Sequence, residues 1–309
     1  MTGRTDFITD APWEDVWLLW YVLVDDAYHA LEQHFGPWRT RGPQPTFSDS
    51  EVITVALIID TWWHGHEALG LAFLRRYHAE LFPKLPPNGW FNARRTRLGP
   101  LIDQVRRLLT QHHGLLADDD PDRLVDSAPL PVCTYARAGQ CRTLDGQQFY
   151  GVRASGHAKL FGFRLALTTS KDQVVDDWML VPASHHDSQT LGALFEQRHG
   201  LLVLGDGAYT NPVLAPVLAA HEVEVLSPPR KNSRPELAWP AEHRRFMTRI
   251  RRRIETALSV LTQVFDLERP RSRSLAGLVC RVSTRLLAYN LCFITPALLA
   301  QLGSNQTPN

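Results

Sequence analysis

The chain has 309 residues, enough for one large domain or two ordinary ones, and its 44% hydrophobic and 21% charged residues are typical of a folded globular protein. Its four cysteines include no C-x-x-C pair, which excludes a zinc ribbon and a dense disulfide framework. The amino terminus lacks a cleavable apolar signal, and no run is expected to reach the ~18 apolar residues of a membrane span. We therefore expect a cytoplasmic protein with no membrane partner.

Charge is distributed unevenly along the chain. The net charge is only +1, yet residues 227–285 contain 14 Lys or Arg against 5 Asp or Glu. The rest of the chain is therefore acidic. A basic carboxy-terminal third that is rich in arginine suits a polyanionic partner such as DNA. The alternative interpretation is a solvated helix face that binds nothing.

Residues 1–116 are predicted to form an all-helical amino-terminal domain. Tryptophans near the start of the chain recur at helical spacing. Ser48 followed by Glu51 predicts a capping box ahead of a long apolar run. A further helix is expected over 98–112. We interpret this domain as a candidate for binding DNA ends.

Two arginines precede the last of these helices. Arg94 and Arg95 follow Trp90 and Phe91 closely in the sequence. Arginines beside aromatic residues can grip a nucleic-acid backbone and stack on a base. An ordinary helix start with exposed arginines is the other interpretation.

The pattern changes after a polar linker, and residues 117–309 are predicted to form the second domain. Apolar runs indicate three strands, after which helices and strands alternate and a long helix follows. The predicted strands cover 123–127, 161–169, 174–181, 201–205 and 223–226, and the predicted helices cover 188–198, 212–221 and 246–265. This order predicts a mixed α/β fold, in which a ribonuclease-H-like mixed sheet is flanked by helices and preceded by the helical domain.

Three carboxylates occupy positions that favour a metal site. Asp206 ends a short apolar run, and the carboxyl ends of strands in α/β sheets commonly bind ligands. Asp126 lies inside another apolar run, where an unpaired charge is costly. Glu255 lies on the polar face of the long helix. Such hard oxygen ligands suit Mg²⁺ or Mn²⁺, and a pair of these ions suits phosphodiester chemistry. Taken alone, Asp206 is also interpretable as a residue that merely opens a turn.

Other polar residues are candidates for supporting these acids or for binding DNA. His186 and Asp187 follow a predicted strand, and they either lie near the metal ligands or have a structural role in which Asp187 or Ser188 caps the next helix. Arg251 lies one turn before Glu255, where it could orient that carboxylate, clamp a phosphate or form a simple surface ion pair. The candidate DNA contacts are Arg230, Lys231, Arg251, Arg252, Arg94 and Arg95.

Short motifs surround the three acids in a fixed order. They are Val125-Asp126-Ser127, Phe161-Gly162-Phe163-Arg164-Leu165, Pro182-Ala183-Ser184-His185-His186-Asp187, Gly205-Asp206-Gly207-Ala208-Tyr209, Pro228-Pro229-Arg230-Lys231-Asn232 and Arg251-Arg252-Arg253-Ile254-Glu255. In this order they resemble the DDE transposases of bacterial insertion sequences, and most closely the family of insertion sequence 982. The resemblance covers nearly the whole chain.

This resemblance implies a DNA transposase in which Asp126, Asp206 and Glu255 are catalytic metal ligands. The implied partners are double-stranded DNA, namely inverted-repeat ends and target DNA, and further copies of the chain in a homo-oligomer when the ends are synapsed. Nucleoid association would follow when DNA is bound. Two alternatives stay open: a ribonuclease-H-like nuclease that cuts without joining, and a non-catalytic DNA-binding relative.

Overall fold

The computed structural model describes residues 10–38, 42–43, 45–117, 120–152, 158–229 and 239–304. The chain divides into two compact units, one formed by Met1–Leu115 together with Gln263–Asn309 and the other by Leu116–Thr262. From the sequence, 263–309 is expected in the second domain. The structure differs there, because this segment packs with the amino-terminal helices.

The first unit is helical. Its helices are α1 (Trp13–Phe35), α2 (Asp49–Trp62), α3 (Glu67–Tyr77), α4 (Asn88–Arg97), α5 (Gly99–His112) and α9 (Leu275–Ser304). The capping box is confirmed at the start of α2, where Glu51 N donates to Ser48 Oγ at 3.1 Å and Ser48 N donates to Glu51 Oε2 at 2.6 Å. These two bonds satisfy backbone donors that the helix cannot pair itself, and so fix where α2 begins.

Helix α9 packs against α5, α2, α4 and α1, which explains its place in the first unit. Asn290 Nδ2 donates to Thr110 Oγ1 at 2.9 Å, and Trp20 Nε1 donates to Thr295 Oγ1 at 2.9 Å. Both hydrogen bonds are buried, where an unmade bond would be expensive. Because their partners lie 180 and 275 residues apart in the chain, sequence pattern alone did not place α9 here.

By length and composition, α9 is also apolar enough to cross a membrane, with a mean hydropathy of 1.5 over its most apolar window. The expectation that no run reaches span length is therefore wrong for this helix. The apolar window of α9 is weak evidence for a membrane span, because the helix packs within the first unit. Two of its arginines, Arg281 and Arg285, are buried there, and Arg281 pairs with Asp60 of α2.

The second unit is built on a mixed sheet. Its strands are β1 (Asp122–Pro131), β2 (Tyr150–Val152), β3 (Lys159–Thr169), β4 (Val175–Pro182), β5 (Leu201–Leu204) and β6 (Val223–Leu226). The main order is β4-β3-β1-β5-β6, with β2 paired to the start of β3. Strands β4, β3 and β1 are antiparallel neighbours, whereas β1, β5 and β6 are parallel. The predicted mixed α/β, ribonuclease-H-like fold is confirmed.

Helices cover both faces of this sheet. On one face α6 (Thr190–Phe195) and α7 (Ala215–Ala219) pack against an apolar cluster that includes Val125 and Val203. On the other face α8 (Ala241–Gln263) packs through Met247, Ile250 and Ile254 against Leu124 and Leu204. Alternate residues of β1 and β5 therefore point to opposite faces, as strand geometry requires. Helix α8 begins earlier than predicted, α6 and α7 are shorter, and β2 was not predicted.

The placement of α9 predicts how fragments of this chain will behave. A fragment of residues 116–262 should unfold cooperatively, whereas a fragment of 116–309 should expose the apolar surface of α9, because the helices that cover it are missing. The measurement is binding of a hydrophobic dye together with light scattering. A 116–309 fragment that is monomeric and binds no more dye than 116–262 would contradict this division.

Candidate active site

The parallel pairing of β1 and β5 places two acids side by side. Leu124 is the register partner of Leu204 at the last parallel pair between these strands. Asp126 lies two residues beyond Leu124, and Asp206 lies two residues beyond Leu204, with its backbone still extended. Because side chains two residues apart share a face of a strand, both acids follow leucines that face α8.

The third acid lies on the helix that packs on those leucines. Ile254 of α8 is fully buried in the same cluster as Leu124 and Leu204, and Glu255 is the next residue. The Glu255 side chain is 51% exposed, and its carboxylate pairs with Arg251 at 3.3 Å, one turn earlier on the helix. One apolar cluster thus holds the elements that carry all three acids.

Burial and the neighbouring charges both shift the pKa of Asp126. Its pKa is raised to about 6, chiefly by burial, and the negative charges of Asp206 and Asp187 raise it further. The Ser127 backbone N–H, which donates to Asp126 Oδ1 at 2.8 Å, and the charge of Arg251 both lower this pKa. A desolvated carboxylate beside two others is a site where a cation would be stabilising.

Asp206 opens the turn that follows β5. Its Oδ1 accepts from Ala208 N at 2.8 Å, which starts the short 3-10 turn Gly207–Tyr209. The turn-opening role considered from the sequence is therefore real, and it coexists with a position beside Asp126. The donated N–H also fixes the orientation of the Asp206 carboxylate.

His186 and Asp187 have different surroundings. The exposed His186 side chain accepts from Ser188 N at 3.3 Å and caps the 3-10 turn Asp187–Gln189. Helix α6 itself has Gln189 at its N-cap position with no side-chain cap bond, so neither Asp187 nor Ser188 caps that helix as expected. Asp187 instead accepts from Ser127 Oγ at 2.7 Å, and Arg164 donates to both of its oxygens at 3.1 Å. The structure brings Asp187 to the acids, whereas the described contacts of His186 are local.

Three residues of this site were not singled out from the sequence: Ser127, Arg164 and Tyr209. A signal existed for Arg164, because an arginine within the apolar run of β3 needs a partner. Burial, followed by the charges of Asp187, Asp126 and Asp206, holds the pKa of Tyr209 well above its ordinary value, although the Ser127 side chain lowers it. The buried Tyr209 phenol therefore keeps its proton beside the acids.

The two candidate DNA contacts in the helical unit are engaged in ion pairs. Arg94 Nε donates to Asp49 Oδ1 at 2.6 Å, and its second nitrogen pairs with the other oxygen. Arg95 is only 3% exposed and pairs with Glu67 at 3.2 Å. The burial of Arg95 argues against the phosphate contact expected for it, because a buried guanidinium would have to leave its carboxylate to reach DNA.

Helix α8 presents a basic surface opposite its buried stripe. Arginines at helical spacing line one open depression there together with Thr248; they are Arg244, Arg245, Arg249 and Arg252. Within the described part of the chain, no carboxylate pairs with any of these four. The other predicted contacts, Arg230 and Lys231, lie outside the described residues.

The donor chemistry of Asp126 and Asp206 fits a divalent cation, because both side chains are hard carboxylates and Asp126 is largely desolvated. The third predicted ligand does not join them in this conformation, since Glu255 pairs with Arg251. In the ranges that the structure describes, no three His, Cys, Asp or Glu side chains are arranged to hold a metal ion. The geometry therefore places Asp126 beside Asp206, whereas Glu255 is paired with Arg251.

Comparison with known proteins gives one finding. A family model described as a transposase DDE domain matches residues 117–291, which include all three acids and the whole sheet. No curated protein and no solved structure matches the chain significantly.

The raised pKa of Asp126 predicts a pH-dependent gain in stability when its charge is removed. The folded pKa, about 6, lies above the ordinary 3.8, so the metal-free fold pays for ionising this group as pH rises. Asp126→Asn should raise the free energy of unfolding by up to about 3 kcal/mol above pH 7, and the gain should vanish toward pH 4. Chemical denaturation in chelator measures it.

The control for this measurement is Asp172→Asn, which removes a carboxylate that is 85% exposed in the same unit. Its effect should be small at every pH, because water screens the charge. A loss of stability in Asp126→Asn, or a gain that is the same at pH 4 and pH 8, would contradict the electrostatic account of the site.

Proposed function

Because the chain belongs to the family of transposases with a DDE domain, we propose that it binds the ends of an insertion sequence and catalyses metal-dependent phosphodiester cleavage and strand transfer. Placement within the insertion sequence 982 family is part of this proposal, and so are a synapsed homo-oligomer and a cytoplasmic, nucleoid-associated location. The observation that carries it is the position of Asp126 and Asp206, each two residues beyond the paired leucines Leu124 and Leu204.

In this proposal Asp126, Asp206 and Glu255 hold two Mg²⁺ or Mn²⁺ ions. When bound, such ions activate a water or a 3′-hydroxyl and stabilise the oxygen that leaves phosphorus. The protein supplies the carboxylates and their orientation. The Ser127 N–H holds one oxygen of Asp126, and the Ala208 N–H holds one oxygen of Asp206. The remaining carboxylate lone pairs are then directed rather than free to rotate.

Recruitment of Glu255 requires its ion pair with Arg251 to break. Its partner Arg251 is on the same helix, and the Glu255 side chain is 51% exposed. Exposed ion pairs one helical turn apart contribute about 0.3–0.5 kcal/mol, so breaking this one costs little. Once released, Arg251 is free to contact a phosphate, which suits a planar guanidinium. This exchange reconciles the observed pair with the proposed role of both residues.

The basic surface of α8 supports DNA binding beside the acids. Residues 245, 248 and 252 follow one another along a helix face, and position 255 lies less than one turn beyond 252. The arginine surface therefore continues along α8 toward Glu255. A phosphate backbone that follows it would arrive at the acids. We propose Arg252, Arg251 and their neighbours as backbone contacts, and Arg230 and Lys231 as further contacts.

The catalytic proposal predicts that three conservative changes each abolish cleavage. Asp126→Asn, Asp206→Asn and Glu255→Gln keep side-chain size but remove an anionic ligand, so the charge that develops at phosphorus loses its stabilisation. DNA affinity should stay within about threefold. The assay incubates each variant with insertion-end DNA and Mg²⁺, and it scores hydrolysis and joining of a 3′-OH end separately.

Asp172→Asn is the matched control and should cleave like the parent protein. Thermal unfolding of every variant separates loss of chemistry from loss of folding. Near-parental cleavage and joining by any of the three acid variants would show that its residue is not a ligand. A parent protein that cleaves but never joins would instead favour the nuclease alternative.

The DNA-binding proposal predicts a change in salt dependence. Each phosphate contact contributes about 0.9 to the slope of log K against log salt, because counterions are released from duplex DNA. Arg245→Ala with Arg252→Ala should therefore flatten the slope by about two and weaken specific and random duplexes alike. Fluorescence anisotropy at several salt concentrations measures this.

Arg253→Ala is the control, because that guanidinium donates to the Lys171 carbonyl at 2.7 Å and is already engaged within the unit. Its slope should match that of the parent protein. Equal slopes for the parent and the double variant would show that this arginine surface does not face DNA.

A further inference from the structure

We infer that Arg164 and Asp187 act through Ser127 to position Asp126, so that they are positioning residues for the chemistry proposed above. This inference rests on the proposed function and adds to it a second set of residues behind the acids. The three side chains form one continuous chain of hydrogen bonds. They were brought together from three separate segments: β1, β3 and the connection that follows β4.

Neighbouring residues of β1 point to opposite faces of the sheet. Val125 faces the cluster that α6 and α7 cover, whereas Leu124 faces α8. By strand alternation Asp126 points to the α8 face, and Ser127 points to the opposite face. A bond that anchors the Ser127 side chain therefore fixes the strand directly behind Asp126, without occupying the space in front of that carboxylate.

Two charged side chains, Asp187 and Arg164, anchor the Ser127 side chain. Ser127 Oγ donates to Asp187 Oδ1 at 2.7 Å, and Arg164 Nη1 donates to both Asp187 oxygens at 3.1 Å. Arg164 Nη2 also donates to the Val152 carbonyl at 3.2 Å, which ties the arginine to β2. Both charged side chains are less than one-fifth exposed, so these charge-assisted bonds are poorly screened by water.

Ser127 is also bonded to the carboxylate of Asp126. Beyond Leu124, β1 has no described pairing with β5, and the Ser127 N–H turns instead to Asp126 Oδ1 at 2.8 Å. One residue thus uses its hydroxyl to bind Asp187 and its backbone N–H to bind Asp126. A shift of Ser127 would move both bonds together, which couples the anchor to the carboxylate orientation.

Arg164 also offsets the negative charge of Asp187 beside the acids. Asp187 and Asp126 both accept hydrogen bonds from Ser127, so their two negative charges lie close together. The guanidinium of Arg164 pairs directly with Asp187 and offsets its charge. Removal of Arg164 would leave a partly buried carboxylate unpaired beside the acids, which is costly. Arg164 thus makes it possible for Asp187 to hold Ser127 without strong repulsion of Asp126.

The segment that contains Asp187 also contacts the turn that follows Asp206. The short turn Asp187–Gln189 contacts the turn Gly207–Tyr209 that Asp206 opens. Asn211 Nδ2 donates to the Ser188 carbonyl at 3.1 Å and joins the same two segments. The segment of Asp187 is therefore in contact with both acid-bearing connections, and a local disturbance there should misplace Asp126 relative to Asp206.

The same sheet offers a matched control pair. Arg123 of β1 donates to Asp176 of β4 at 2.7 Å, and both side chains are about one-tenth exposed. This pair is of the same chemical type and joins β1 to β4, but it lies on the other side of Leu124 from the acids. Asp176 also pairs with Arg198 at 2.7 Å, so Asp176→Asn should disturb the sheet at least as much as Asp187→Asn, without touching Ser127.

The experiment compares the parent protein with Asp187→Asn, Arg164→Met and Asp176→Asn. Electron paramagnetic resonance measures the Mn²⁺ affinity of each full-length chain. A second assay measures single-turnover cleavage at saturating insertion-end DNA. Outer partners of metal ligands typically contribute about 10–100-fold to metal affinity or activity. We expect losses of about that size in the first two variants, DNA affinity within about twofold of the parent, and Asp176→Asn near the parent in both assays. Arg164→Lys should recover part of the loss.

The outcomes separate this inference from the proposed function. A parent protein that cleaves no DNA with Mn²⁺ or Mg²⁺ overturns both. An active parent whose Asp187→Asn and Arg164→Met variants match Asp176→Asn overturns only the positioning role. Should thermal unfolding show that either variant is not folded, Ser127→Ala decides, because it removes one hydroxyl: a several-fold loss of Mn²⁺ affinity supports the inference, and parental affinity overturns it.

Discussion

The pairing of Leu124 with Leu204 is the constraint on which the candidate site depends. Parallel strands cannot slip by one residue without turning every side chain to the other face. In this register both leucines pack against Ile254 of α8, and each chain then continues for two residues to an acid. The position of Asp126 beside Asp206 therefore follows from burial of apolar side chains. The hydrophobic cluster that stabilises the unit also sets the geometry of its charges.

Much of the second unit could be predicted from the sequence, because its signals are local. Strand β6 was predicted at 223–226 and is observed at Val223–Leu226, and Asp126 and Asp206 were singled out because a charge within or directly after an apolar run is unusual. The hydrogen-bond network behind Asp126 could be predicted only in part. Ser127 and Asp187 are 60 residues apart, so their hydrogen bond appears only once β3 and β4 have brought the segments together. Sequence could indicate that Arg164 needs a partner, but not which one.

In the helical unit, the sequence predicts the helices but not the contacts of the charged side chains. Helix positions and the Ser48 capping box follow from spacing, yet the roles of charged side chains do not. Arg95 resembles a surface arginine in the sequence and is buried with Glu67. Helix α9 was expected in the second domain with the rest of 117–309, but it completes the first unit. In both cases long-range burial overrides a local pattern. A charged residue next to an aromatic is therefore a weak indicator of DNA contact. Arginines along one face of α8 that have no carboxylate partner among the described residues are a stronger one.

The most direct test of the central claim is anomalous scattering from Mn²⁺ in crystals of the protein bound to insertion-end DNA. The account predicts a manganese peak in contact with the carboxylates of both Asp126 and Asp206, with Glu255 released from Arg251 and turned toward the metal. Arg164 and Asp187 should remain paired behind the strand. Manganese bound elsewhere, or bound by one aspartate while the other points away, would contradict the arrangement from which the function is proposed.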